Sequence, residues 1–220
     1  MKPVSVTAAL LAAGLMASAQ ADTLLSEGFD SVATLGASGW VFTNASSSAG
    51  LSWFPGNSGI FGAQSGDAAS YVGANFNSTT AITGVVDNWL ISPEFAATAP
   101  TTLSFYTQAS DLGFLDLLEV RFSSGPGTDV SGFSTLVGSV GSAAVSAYPV
   151  GSWALVSFTL PTAASGRIAL RYSVANALDA SYIGVDTLSV VSVPEPAALA
   201  LFGAGGAAVL ALVRRRRVAA

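Results

Sequence analysis

Arg167-Ile168-Ala169-Leu170-Arg171-Tyr172-Ser173-Val174 alternates without a break. Ile168, Leu170, Tyr172 and Val174 share one face; Arg167, Ala169, Arg171 and Ser173 share the other. Successive side chains of a strand point to opposite faces, so this period of two is that of a half-buried strand. Leu118, Val120 and Phe122 alternate with Glu119, Arg121 and Ser123 in the same way, and Val156, Phe158 and Leu160 with Ser157 and Thr159. Further strands are expected at Leu103 and Phe105, Leu25 with Phe29, Trp40 to Phe42, Tyr71 to Ala74, Trp89 to Ile91 and Ile183 to Val191. No apolar period of helical spacing outlasts a turn or two between Asp22 and Val193, and Gly, Ser, Pro, Asn and Asp clusters punctuate the strands. Many short strands without intervening helices imply an all-β antiparallel sandwich, each sheet with one face inward and one toward water. Ser46 to Gln64 and Ser123 to Ser152 read as long, Gly- and Ser-rich loops of the kind that carry function or move.

The ends read differently. Met1-Lys2, the apolar run from Val4 to Ala17 and the Ala19-Gln20-Ala21 cleavage site make residues 1–21 a secretory signal peptide. Val193-Pro194-Glu195-Pro196 is a stop, because proline lacks an amide hydrogen and restricts the residue before it. The uncharged stretch 197–213 is at the short end of what crosses a bilayer as a helix. Arg214, Arg215, Arg216 and Arg217 follow at once and, as the positive end, stay cytoplasmic, so the preceding chain faces outward. One domain, residues 22–192, lies between these segments.

The C-terminal arrangement, Val193-Pro194-Glu195-Pro196 followed by a glycine-containing apolar span and a basic cluster, resembles the PEP-CTERM sorting signal of Gram-negative bacteria. That resemblance implies an exosortase as partner, with cleavage near the motif, in cells that usually make exopolysaccharide. The alternative is a C-terminal anchor that is never cut. A second resemblance runs through Glu27-Gly28-Phe29-Asp30, Gly39-Trp40, Asn88 to Pro93, Leu118-Glu119-Val120, Trp153 with Phe158 to Pro161, and Ile183-Gly184-Val185-Asp186. In this order they are similar to the choice-of-anchor J domain, itself similar to MAM and cleaved-adhesin domains, which implies a jelly-roll sandwich.

Charge and composition remove several function classes. Of 220 residues, eight are Lys or Arg, thirteen are Asp or Glu, and none is His or Cys. Only Arg121, Arg167 and Arg171 lie in the domain, against all the acidic residues but Glu195. Such a surface repels nucleic-acid phosphates and anionic lipid and attracts divalent cations. Without His or Cys there is no Ser-His or Cys nucleophile pair and no His- or thiolate-based zinc site.

Three carboxylates fall on expected inward faces: Glu27 with Leu25 and Phe29, Asp116 with Leu118 and Val120, and Asp186 with Leu188 and Val190. Buried carboxylates need partners. A calcium ion takes oxygen ligands alone, and the resemblance to MAM-like domains implies neighbouring first and last strands, so Glu27 and Asp186 can share one ion with Asp30 or Asp67. Alternatively the carboxylates accept backbone amides, and a bulge at Asp186-Thr187 reverses the facing of Asp186. Trp40, Trp89 and Trp153 sit in alternating segments and are expected in the core, whereas Trp53 and Phe54, between Ser52 and Pro55-Gly56-Asn57, are candidates for a sugar-stacking pair. Glycoside hydrolysis needs two facing carboxylates, and Asp116 and Glu119 fall on opposite faces of one strand. The expectation is therefore an exported, non-enzymatic surface or matrix protein, structural or adhesive and linked to exopolysaccharide or biofilm. The alternatives are a carbohydrate-binding module and, more remotely, a glycoside hydrolase.

Overall fold

A computed structural model describes residues 21–192. The expected signal peptide up to Gln20, the motif at 193–196, the apolar span 197–213 and the arginines 214–217 lie outside the described residues. Among the described residues no helix is long and apolar enough to cross a membrane.

Twelve strands form two sheets: β1 (Asp22–Glu27), β2 (Val41–Asn44), β3 (Phe54–Pro55), β4 (Val72–Asn75), β5 (Val86–Ile91), β6 (Phe95–Ala97), β7 (Thr101–Ala109), β8 (Leu117–Ser123), β9 (Thr135–Gly141), β10 (Ala154–Leu160), β11 (Ala163–Val174) and β12 (Tyr182–Ser192). The first sheet runs β10-β7-β12-β4-β3, with β1 also on β12; the second runs β2-β5-β11-β8-β9, with β6 also on β11. All pairings between these strands are antiparallel. The two longest strands organise the sheets. β12 has β7 along one side, and on the other β4 up to Val185 and β1 from Leu188. β11 has β8 on one side, and β6 then β5 on the other.

The alternation that marks β11 does the packing. Ile168, Leu170, Tyr172 and Val174 turn inward and join Leu103 and Phe105 of β7, Leu118, Val120 and Phe122 of β8, and Ile183, Val185, Leu188 and Val190 of β12 in one core. On the outward face of the second sheet, Trp89, Ile91, Phe133 and Ala169 make a smaller cluster. The Arg171 guanidinium lies 4.9 Å from the Trp89 ring centre and bonds Asp87 at 2.6 Å and Glu119 at 2.9 Å.

β12 breaks its own alternation. Val185 and Leu188 both face the core although they are three positions apart, and the ladder with β7 shifts between Asp186 and Ser189. Thr187 takes φ 50°, a left-handed conformation that is costly for a β-branched residue. The break falls where β4 has ended and β1 has not begun, the one point at which no strand flanks that side of β12. Asp186 consequently stands outward with Gly184, as the alternative of a bulge at Asp186-Thr187 expects, and not inward as its parity with Leu188 predicts. Asp116 keeps its inward parity and is 1% exposed.

Three strands carry no alternation in the sequence: β3 and β9, inside the stretches read as loops, and β6. In β9 the reason is packing. Phe158 of β10 lies against Gly138, and a Cβ there would sit 2.4 Å from the ring. The glycine that hides the strand is the residue its neighbour requires. Phe29, expected within the first strand, lies beyond its end at φ 55°, fully buried.

Candidate functional site

The four residues nominated for calcium are dispersed among different partners. Asp186 is fully buried, and each of its oxygens is already in use. Oδ2 accepts the amides of Gln64 at 2.8 Å and Ser65 at 3.1 Å; Oδ1 accepts the Thr187 amide at 2.6 Å. Burial pushes the Asp186 carboxyl above its ordinary value, partly countered by the amides of Ser65, Gln64 and Thr187. Glu27 Oε1 accepts the Phe29 amide at 2.8 Å and so holds the chain reversal after β1. Asp30 and Asp67 border a recess of about 330 Å3 with Phe29, Val32, Pro55 and Ser70, and Asp186 is not among its lining residues. Among the described residues no group of three or more acidic side chains could hold a metal ion. The most buried of the four carboxylates, Asp186, thus has one oxygen on amides of the 56–70 loop and the other on Thr187 of its own strand.

The sugar-stacking pair is also placed differently. Trp53 is 4% exposed, its Nε1 donates to the Asn88 carbonyl of the second sheet at 3.3 Å, and its ring belongs to the core. Phe54 is half-buried against Tyr182, ring centres 5.7 Å apart. Trp153, expected in the core, is the half-exposed tryptophan. It belongs to a cluster on the outward face of the first sheet, where Phe61 stacks on Tyr71 at 5.1 Å and meets Trp153 and Tyr182 edge-on at 5.4 Å each.

This cluster stands on a glycine floor. Gly73 of β4 and Gly184 of β12 are register partners, and a Cβ on Gly184 would come within 3.0 Å of Phe61, Trp153 and Tyr71. The loop is tied down by polar bonds around the rings. The Asn57 amide donates to both the Tyr71 and Tyr182 hydroxyls, at 2.9 and 3.1 Å; Trp153 Nε1 donates to the Gly62 carbonyl at 2.9 Å; and Thr187 Oγ1 donates to Gln64 Oε1 at 2.7 Å. Burial pushes the Tyr71 and Tyr182 phenols up. The sequence signal for this arrangement was two glycines inside strands, which mark a close approach of another part of the chain.

The remaining buried acid is structural in its contacts. Asp116 Oδ1 accepts the Tyr172 hydroxyl at 2.5 Å and the Ser181 amide at 2.9 Å, and Oδ2 accepts the Ser181 hydroxyl at 2.5 Å. Glu119 faces away from it, bonded to Arg121 and Arg171 on the outer side of the second sheet. The two carboxylates do not face a common space.

The last strand of this sandwich ends at Ser192, and there a family model begins to match. Residues 192–217 carry a PEP-CTERM protein-sorting motif. The motif implies export, processing by an exosortase and sorting to the cell surface. The sandwich is similar to the K1 cleaved adhesin domain of Lys-gingipain from Porphyromonas gingivalis W83, with TM-score 0.57 and 24% identity over 77% of this chain and 98% of that one. It is similar to the K3 cleaved adhesin domain of the same protein, with TM-score 0.55 and 19% identity over 79% of this chain and 99% of that one. At these identities the likeness is one of fold: a two-sheet antiparallel β-sandwich. No curated protein matches the sequence.

Proposed function

We propose that this protein is delivered to the cell surface or extracellular matrix through its PEP-CTERM motif, where its sandwich serves as a non-catalytic structural or adhesive module associated with exopolysaccharide. The observation that carries this is the continuity of domain and signal: β12, the central strand of the first sheet, runs to Ser192, where the match to the motif starts. Four of its buried and half-buried carboxylates support a non-catalytic reading. Asp116 and Asp186 are held by amide and hydroxyl donors, Asp87 and Glu119 by arginines, so each is committed to the fold.

Mass spectrometry of the protein recovered from its own host tests this. The expected product begins near Asp22 and ends near the Pro194-Glu195-Pro196 motif, in the envelope or medium. Recovery of the chain from the cytosol with both ends intact overturns the reading.

A further inference from the structure

The 56–70 loop covers only part of the outward face of the first sheet, and the ladders lay out the rest in rows. Thr159, Thr102, Val191 and Thr23 stand side by side across β10, β7, β12 and β1. Ser157, Ser104, Ser189 and Ser26 form the next row across the same four strands. Neighbours lie about 4.8 Å apart across strands and about 6.7 Å apart along them, the spacings of any sheet. A third row, Leu155, Tyr106 and Asp186, ends at the loop, where Gln64 and Ser65 hold Asp186.

Several other hydroxyls are satisfied within the fold: Thr107 bonds Tyr148 and the Gly184 carbonyl, Ser181 bonds Asp116, and Thr187 bonds Gln64. The Ser and Thr hydroxyls of the two rows, and that of Tyr106, have no partner among the described residues. Thr23, Ser26, Thr102, Ser157 and Thr159 are exposed, while Ser104, Ser189 and Tyr106 are half-buried. Leu155, beside Tyr106, is 57% exposed, and Trp153 stands one row further on against Phe61.

Charge selects the occupant. The two hydroxyl rows contain no charged residue, and the one carboxylate at their border is taken up by loop amides. All three arginines of the domain lie on the other sheet, on β8 and β11. Nothing on this face attracts a polyanion, and the acidic domain around it repels one. A flat array of free hydroxyls ending in an aromatic and apolar step matches a neutral polysaccharide, whose hydroxyls pair with the rows and whose C–H faces stack on the rings. We propose that this shelf binds an extended, uncharged polysaccharide, with Ser104 and Tyr106 at its centre. The proposal rests on the reading of the protein as a surface module and names what that module holds.

The test uses the processed protein purified from its host, run in native gels containing dextran, galactomannan or hydroxyethylcellulose, with alginate as the polyanion. At least one neutral polymer is expected to retard it and alginate is not. Ser104→Lys and Tyr106→Ala should each weaken retardation at least ten-fold without lowering the melting temperature, while Ser139→Lys on β9 of the other sheet leaves it unchanged. The shelf is overturned if no neutral polymer retards correctly processed protein, if alginate retards it equally, or if Ser104→Lys and Ser139→Lys behave alike. Loss of self-association in Ser104→Lys, with no loss of retardation, also overturns it, by making the face a contact between copies. Terminal masses read on the same sample separate the failures: unprocessed ends sink the surface reading, whereas processed ends without retardation sink the shelf alone.

Discussion

Asp186 Oδ2 accepts the Gln64 amide at 2.8 Å across 122 residues of chain, and with the Ser65 amide on the same oxygen it helps to pin the 56–70 loop to the centre of the first sheet. Asp186→Ala leaves the Gln64 and Ser65 amides without their acceptor under the loop. The expected loss is about 1–3 kcal/mol, the usual cost of an unmet buried hydrogen bond. Thermal unfolding reads the loss, and protease cleavage between Gly56 and Ser70 should appear before global unfolding. A variant as stable and as resistant as the parent would show that the loop is held by its aromatics alone.

The same contacts bear on calcium. With both oxygens of Asp186 engaged, adding calcium or EDTA is expected to leave the melting temperature unchanged. A rise with calcium would mean that Asp186 exchanges its amide donors for an ion shared with a neighbouring carboxylate.

Acid stability should depend on Glu119. Burial alone would raise its carboxyl, but the guanidinium groups of Arg121 and Arg171 outweigh this and hold it below the ordinary 4.5. A depressed carboxylate contributes stability that is present above the unfolded value and lost as pH falls through the folded one. Asp186, raised from 3.8, acts in reverse: its contribution is full below that value and is lost as pH rises through its folded value. Arg171→Ala should therefore flatten the acid limb of a plot of melting temperature against pH. At pH 7 it should cost about 1 kcal/mol, through the lost ion pairs and the stacking on Trp89. An unchanged acid limb would put the control elsewhere.

Alkaline unfolding should be abrupt. Burial pushes the Tyr148 and Tyr172 phenols up, Tyr172 also by the Asp116 carboxylate, and Tyr71 and Tyr182 rise in the aromatic cluster. Groups raised in the fold lose their stabilising contribution as pH climbs past the unfolded value near 10. Their phenolate absorbance is expected to appear in one step, together with the loss of β-sheet circular dichroism. Gradual ionisation before that loss would contradict the burial.

Gly184→Ala tests the glycine floor. The added methyl meets three rings within 3.0 Å, so the rings must lift or the strand must shift, at an expected cost of about 1–3 kcal/mol. Trp153 fluorescence should move to longer wavelength as its ring gains water. An unshifted spectrum with full stability would show that the cluster gives way freely.

Alternation made most of the strands legible, because a side chain's facing along a strand is local: Ile168, Leu170, Tyr172 and Val174 point inward wherever their sheet lies. It failed where another segment sets the terms. Gly138 is glycine because Phe158 covers it, and so β9 resembled a loop. Trp53 has the Ser, Pro and Gly neighbours of a surface loop, yet its Nε1 finds the Asn88 carbonyl in the second sheet and its ring goes inside. Trp153 sits beside a clean strand, yet the rings over Gly184 hold it at the surface.

From the chain alone came the all-β character, the acidic surface free of His and Cys, and the sorting motif, since composition and local periodicity depend only on residues near one another in sequence. Tertiary structure alone decided that Asp186 faces outward, because the bulge arises where β4 gives way to β1. It alone assembled the aromatic cluster and the hydroxyl rows, whose members come from strands scattered along the domain and are aligned by ladder registers set in the folded sheet.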